Sequence, residues 1–420
     1  MPHYTMHDDF QNKLTESITS LLDYCQKNDW SGYDPYDGLN SRLFQGSPFS
    51  KSKIFRLVMI QGMKRLPFNI RPLLLIPKTQ NPKALALFLK AFIKLKRLGL
   101  LEDDDLINLM LQKLITLRSP IHPTNLYPVK FFEKDSGAHL TGATNSTNPY
   151  WCWGYSFPWQ TRTIIVPRSA PNLVCTTFVA DALLDAYEIE NEARYLDMAT
   201  SAAEYLLNEL YWEEGDSVAC FSYPLPSLKN KVHNANFLAA ALLCKVYGYT
   251  GEEKFLEPAF KAARYSADMQ HEDGSWDYGE SLKQHWIDNF HTGYNLCALK
   301  TVSHYLDTKE YESNIQRGFE FYRNHFFRED AAPKYFSNRT YPVDIHSVAQ
   351  SIITLSTFRD LYENNIKLAR SVYEWAMANM LDEQGYFYYQ VTPYYKNKIS
   401  YMRWSQAWML YALSIFQEHL

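Results

Sequence analysis

The sequence predicts an all-α fold: six helical hairpins arranged side by side and closed into an (α/α)6 toroid, as a single domain over residues 1–420. Three observations predict it. Apolar segments from Asn172, Asn234, His291, His346 and Arg403 align on Leu183, Leu242, Leu299, Leu355 and Leu413, so they recur every 56 to 59 residues. Each is apolar or small on most sides, the pattern of a helix buried all round. More polar segments with one apolar stripe precede four of them, so the unit reads as outer helix, loop, inner helix. The chain also holds 31 Tyr, 24 Phe and 10 Trp. A large aromatic surface suits one bounded chamber, which favours a closed ring over an open solenoid.

The elements follow in order. Residues 1–120 are less regular and predict helices at Phe10–Lys27, Lys83–Leu98 and Asp104–Leu117. WSGYDPYDGLNS, from Trp30, reads as a turn in which Asp34 and Asp37 cap backbone groups. Asp135 to Arg168 is too polar and Gly-rich for a helix and predicts a long rim loop. Residues 170–420 carry the repeated hairpins, whose outer helices lie within 193–212, 253–270, 309–327 and 365–381.

Gln270, Gly274 and Trp276, in QHEDGSW, fit a Q-x3-G-x-W motif, with a weaker echo in DEQGYFYY from Asp382. On these residues the chain resembles the α/α-toroid superfamily, including terpenoid cyclases and prenyltransferases. The resemblance implies that the motif ties hairpins together. The cyclase acid motifs are missing: EDDDL at Glu102 is not D-x-D-D, and there is no D-D-x-x-D. With its aromatic segment NPYWCWGYSFPWQTR, the chain also resembles six-hairpin glycosidases, uronate lyases and sugar epimerases, and more loosely toroid proteins of bacterial polysaccharide biosynthesis.

Two groups of residues are candidates for chemistry. At the start of the inner segments stand His233, Asn234, Asp288, His291, Asp344, His346, Tyr401 and Arg403. Inner helices of a ring would present these at one level. Asp288 and Asp344 also suit helix caps, whereas imidazole and guanidinium groups point to proton transfer and anion binding. The second group, Asn148, Trp151, Trp153, Tyr155, Trp159, Arg162, Trp276 and Tyr278, would stack on and hydrogen-bond a saccharide. Proton abstraction beside a uronate carboxylate would give a lyase or epimerase. A hydrolase would need two carboxylates, drawn from Asp273, Asp277, Glu280, Asp288 and Asp344. The expected partner is an acidic cell-surface oligosaccharide or polysaccharide, or its precursor. The alternatives are a non-catalytic glycan-binding or assembly protein and a terpenoid-cyclase-like enzyme.

Composition excludes several classes. Six scattered cysteines form no CxxC pair, no metal motif appears, and no cofactor is expected. The free thiols and polar N-terminus predict a cytoplasmic protein. Residues 38–101 hold thirteen Lys and Arg and no Asp or Glu. Without a nucleic-acid motif, this block suggests contact with the inner face of an anionic membrane rather than nucleic acid. Lys83, Lys90, Lys94 and Arg97 share one helical face, which predicts an outer helix with a solvated or membrane-facing basic side.

Overall fold

The computed structural model describes residues 2–102, 104–126, 147–161 and 163–419. Helices α1 (Pro2–Lys27), α2 (Arg42–Gln45), α3 (Lys53–Arg65), α4 (Pro82–Arg97) and α5 (Asp105–Thr116) make up the N-terminal third. Then come α6 (Leu173–Glu190), α7 (Ala193–Tyr205), α8 (His233–Thr250), α9 (Leu256–Asp268) and α10 (Asn289–Tyr305). The last are α11 (Glu312–His325), α12 (Ile345–Thr357), α13 (Asn365–Met380) and α14 (Ala407–Gln417).

Helices α4, α6, α8, α10, α12 and α14 form the inner ring, each packed on the next, and α14 returns to α4. Outer helices α5, α7, α9, α11 and α13 cover the ring, while α1 covers α14. The sixth hairpin is thus made from the two ends of the chain. The five aligned leucines lie in the inner ring and are essentially sealed from solvent. Burying each contributes about 2 kcal/mol.

The hairpin unit differs from the sequence expectation. Each inner helix packs more closely on the outer helix that follows it than on the one before. The cause is connection length. Inner-to-outer links are short, as at Asn191 and Gly251, which close α6 and α8 in the left-handed conformation. Outer-to-inner links are long and gather on the opposite rim, together with small antiparallel pairings. There β1 (Tyr211–Glu214) pairs with β2 (Val218–Phe221), and β3 (Val343–Asp344), β4 (Gln390–Val391) and β5 (Lys396–Asn397) form a three-stranded patch.

Helix α4 corrects a second expectation. It is an inner helix, and several of its basic side chains are ion-paired. Lys90 is paired with Asp181 and with Asp185 (2.8 Å), Lys94 with Glu418 (2.6 Å) and Arg97 with Glu188 (2.7 Å). Carboxylates from α6 and Glu418 pair with Lys90, Lys94 and Arg97, three of the four cations on the face that sequence pattern alone left free.

The Q-x3-G-x-W motif is a tie between hairpins. Gln270 Nε2 donates to the carbonyls of Gly274 and Asn314, both at 2.9 Å, and Trp276 Nε1 donates to Ser266 O at 2.9 Å. Gly274 has φ +89°, and a Cβ there would stand 2.2 Å from the Arg317 carbonyl oxygen. A Gly274→Ala variant is expected to lose about 3 kcal/mol or more, from the left-handed conformation and the backbone clash together. A urea denaturation curve compared with wild type measures it.

Candidate functional site

The inner helices begin at the rim that carries the long connections. Their first turns surround a cavity of about 400 Å³. Lys83 of α4, Val174 of α6, Asn234 of α8, His291 of α10, His346 of α12 and Arg403, just before α14, all line it. Local sequence sets these turns. Asn81, Asn172, Asp288 and Asp344 cap four of the helices by accepting backbone N–H bonds from Lys83, Cys175, His291 and His346 at 2.9–3.1 Å.

Asp288 does more than cap. Its Oδ2 accepts the Nδ1–H of His291 at 2.7 Å and the Nε1–H of Trp286 at 3.0 Å. This fixes the tautomer of His291 and leaves its Nε2 without a protein partner among the described residues. The imidazole is partly exposed and packs on Tyr278, which stacks on Trp286 at 4.5 Å. Phe290 separates the two histidines, with ring centroids 4.4 Å from His291 and 4.6 Å from His346. His346 Nε2 is hydrogen-bonded to the Tyr294 hydroxyl. Burial, reinforced by Lys83 and Arg403, holds the His346 pKa well below its ordinary value, so the ring is neutral at pH 7.

The charge of the site is unbalanced. Burial opposes the Arg403 cation, but Asp34 grips it through two bonds of 2.6 and 2.9 Å, and the net pKa is raised. Lys64 donates to the Tyr36 hydroxyl at 2.8 Å rather than to a carboxylate. Lys83 is buried with its ammonium 4.1, 5.1 and 5.4 Å from the ring centroids of Phe178, Trp408 and Tyr294. No carboxylate forms an ion pair with it among the described residues. Burial first, then Arg403, depresses its pKa strongly. The faces of three aromatic rings work the other way, favouring the ammonium. Asn234 Oδ1 and Trp159 Nε1 are buried without a hydrogen-bond partner.

Of the residues predicted from sequence, Asn234, Asp288, His291, His346, Arg403, Tyr155, Trp159 and Tyr278 line this cavity. Others do not. His233 points at Ser266 of α9 (3.3 Å), and burial lowers its pKa to about 4. Asp344 is sealed, accepting from the His346 backbone, Gln390 (2.7 Å) and Trp404 (2.8 Å), and burial raises its pKa to about 6. Tyr401 is buried beneath Arg71, whose guanidinium lies 4.8 Å from its ring. Trp276 belongs to the hairpin tie. Trp153 donates to Leu114 O (2.8 Å) and Asn148 to Ser119 O (2.9 Å), while Trp151 packs on Arg118, all as loop anchors. Arg162 lies outside the described residues. Lys83, expected on a solvated or membrane-facing side, and Tyr294, which belongs to neither candidate group, also line the cavity. Sequence reading missed Asp34 as the partner of Arg403.

Among known structures, the fold is that of six-hairpin toroids. The chain superposes on cellobiose 2-epimerase from Bacillus thermoamylovorans with TM-score 0.58 and 10% identity, over 82% of this chain and 90% of that one. It superposes on an unsaturated glucuronyl hydrolase specific for heparin with TM-score 0.58 and 12% identity, over 98% of each chain. A polysaccharide lyase gives TM-score 0.55 and 10% identity, over 97% and 98%. No family model and no curated protein matches the sequence.

The buried His233 makes stability depend on pH. Its folded pKa of about 4 lies below the unfolded value of 6.5, so between those values the unfolded chain binds a proton that the folded chain refuses. Its contribution is intact above pH 6.5 and falls away as pH drops toward 4, by on the order of 3 kcal/mol. Melting temperatures recorded across this window should vary less with pH in His233→Gln than in wild type.

Proposed function

We propose that the cavity binds a saccharide bearing a carboxylate and removes a proton from the carbon beside a carboxylate or carbonyl group, the first step of sugar epimerisation and of polyuronate β-elimination. The observation that carries this reading is the Asp288–His291 pair, a fixed imidazole in the lining of an aromatic cavity whose Nε2 has no protein partner among the described residues. His291 is the base. Asp288 orients it and stabilises the imidazolium that forms. Lys83 and Arg403 offset negative charge on the substrate carboxylate and on the enolate that develops as the proton leaves. The Tyr294–His346 pair stands across Phe290 as proton donor, to the opposite face of the carbon in an epimerase or to the departing glycosidic oxygen in a lyase. The aromatic walls suit sugar faces. The toroids to which the chain is similar include a sugar epimerase and a polysaccharide lyase, in accord with this reading.

Paired-carboxylate hydrolysis has less support. Asp288 is the only carboxylate in the cavity lining among the described residues, and it is committed to His291 and Trp286. Asp273 is bound to Ser275, and Glu280 to Tyr265. Asp277 lines a separate surface pocket. A carbocation cyclase is disfavoured by the cationic side chains in the wall.

The test is incubation of uronate-containing and neutral oligosaccharides in heavy water. Deuterium should enter the substrate carbon, with an ultraviolet-absorbing unsaturated product for a lyase and without one for an epimerase. His291→Ala should abolish exchange, and Asp288→Asn should slow it about 100-fold or more. Release of reducing ends with neither signal would overturn the assignment in favour of a hydrolase, and saturable binding without turnover would favour a glycan-binding protein. Lys83→Met should weaken binding of the acidic saccharide by about tenfold while sparing the neutral one, as titration calorimetry would show.

A further inference from the structure

Helices α2 and α3 and the turns flanking them lie outside the six hairpins, over the rim where the cavity opens. The inner side of α3 is used. Ile60 and Met63 are buried, Met59 and Met63 approach Gly38, and Lys64 reaches Tyr36 in the cavity wall. Arg56 Nε bonds Gln160 beside Trp159, at 2.8 Å.

The outer side is not used. Ile54, Phe55 and Val58 are 70, 46 and 61% exposed on one helical face. Phe49 joins them, its ring 4.7 Å from that of Phe55. The Arg42 N–H donates to the Leu75 carbonyl (3.5 Å), which ties exposed Leu43 to the exposed Leu73–Leu75 turn. Eight of the sixteen exposed large apolar side chains among the described residues fall between 43 and 75. Arg42, Lys51, Lys53 and Arg65 are exposed among them, and no carboxylate forms an ion pair with any of these four among the described residues.

We infer that this apolar and basic platform docks the protein on an anionic lipid surface, with the cavity mouth beside the membrane. The occupant must bury protruding Ile, Phe, Val and Leu side chains and answer the four exposed cations interspersed with them in the chain. The headgroup and acyl boundary of an anionic bilayer does both. A second copy of the chain would set like charges against each other. The saccharide would then be presented from the membrane side, as a lipid-linked or surface-attached chain. Docking itself stands independently of the chemistry in the cavity.

The test is co-sedimentation of the full chain with vesicles of phosphatidylcholine alone and of phosphatidylcholine mixed with phosphatidylglycerol. The mixed vesicles should retain the protein at least about tenfold better, and added salt should reduce the difference. Lys51→Glu combined with Lys53→Glu, and separately Ile54→Ser with Val58→Ser, should each abolish most binding. Leu361→Ser, an exposed leucine between α12 and α13 at the opposite rim, should bind as wild type. Because every altered side chain is exposed, unchanged circular dichroism and melting temperature should accompany the loss. Equal retention by both vesicle types, or platform variants that bind as wild type, would overturn the inference. So would a dimer in solution that Ile54→Ser with Val58→Ser converts to monomer, since a second copy would then be the occupant.

Discussion

Helix α14 lies between α12 and α4 in the inner ring, and α1 covers its outer side, so the last hairpin of the circle joins the two ends of the chain. The ring can close only when residues separated by almost the full sequence meet. The buried pair of Asp34 and Arg403 sits at this seam. It links the turn after α1 to the turn before α14, and Arg403 of the pair lines the cavity. Arg403 has no other ion-pair partner among the described residues, so loss of Asp34 strands the guanidinium in a dry site, at a cost of about 3–5 kcal/mol. Closure of the fold and completion of the cavity therefore share one interaction. A second buried pair, Asp37 with Arg71 at 2.7 Å, braces the same turn from beneath.

The site follows from how the hairpins are connected. Short inner-to-outer links bring few residues to one rim. Long links on the other rim supply Tyr155, Trp159, Tyr278 and Trp286 as walls. Inner helices point their N-terminal ends toward these walls, so the first turn of each faces the axis at one depth. Six such turns contribute Lys83, Val174, Asn234, His291, His346 and Arg403. Caps at four of them hold the backbone in place, and at α10 the cap is itself the partner of the His291 imidazole. One carboxylate both starts the helix and orients the side chain three residues on.

Much of the fold was legible because buried inner helices leave an apolar repeat that no surface helix shows, and because the Gln270–Trp276 motif announces its tie. Recurring polar residues at helix starts pointed to Asn234, Asp288, His291, His346 and Arg403. What stayed hidden has physical causes. Periodicity tells that Lys83 and Lys90 share a face, but not that the face turns inward, because their answering groups, aromatic rings in one case and Asp181 and Asp185 in the other, come from distant segments. His233 and His346 both stand in the first turn of an inner helix, yet one faces an outer helix and the other the axis. A difference of one position along the turn, about 100° of rotation, decides it, and no sequence pattern resolves that. Helix α3 is apolar on nearly every side, from Ile54 to Ile60, so it has no stripe to betray which face is core.

In the proposed reading, the charge distribution suits the cavity to an anion rather than to a neutral or cationic guest. Lys83 is buried where solvation of an ammonium is poor, and its nearest neighbours are ring faces rather than carboxylates. Aromatic quadrupoles stabilise it by about 1–2 kcal/mol, less than the loss of water takes away. The group is left either neutral or under-compensated, and Arg403 nearby makes the charged form harder to sustain. A guest that carries its own carboxylate removes this conflict. It supplies the counterion that the protein lacks and brings the proton back to Lys83. A carbon acid beside that carboxylate then lies in a field of positive charge, where an enolate is more stable than in water and the C–H bond is correspondingly easier to ionise. On the proposed mechanism, the arrangement that leaves Lys83 without a counterion is thus the one that would lower the barrier for His291 to take a proton.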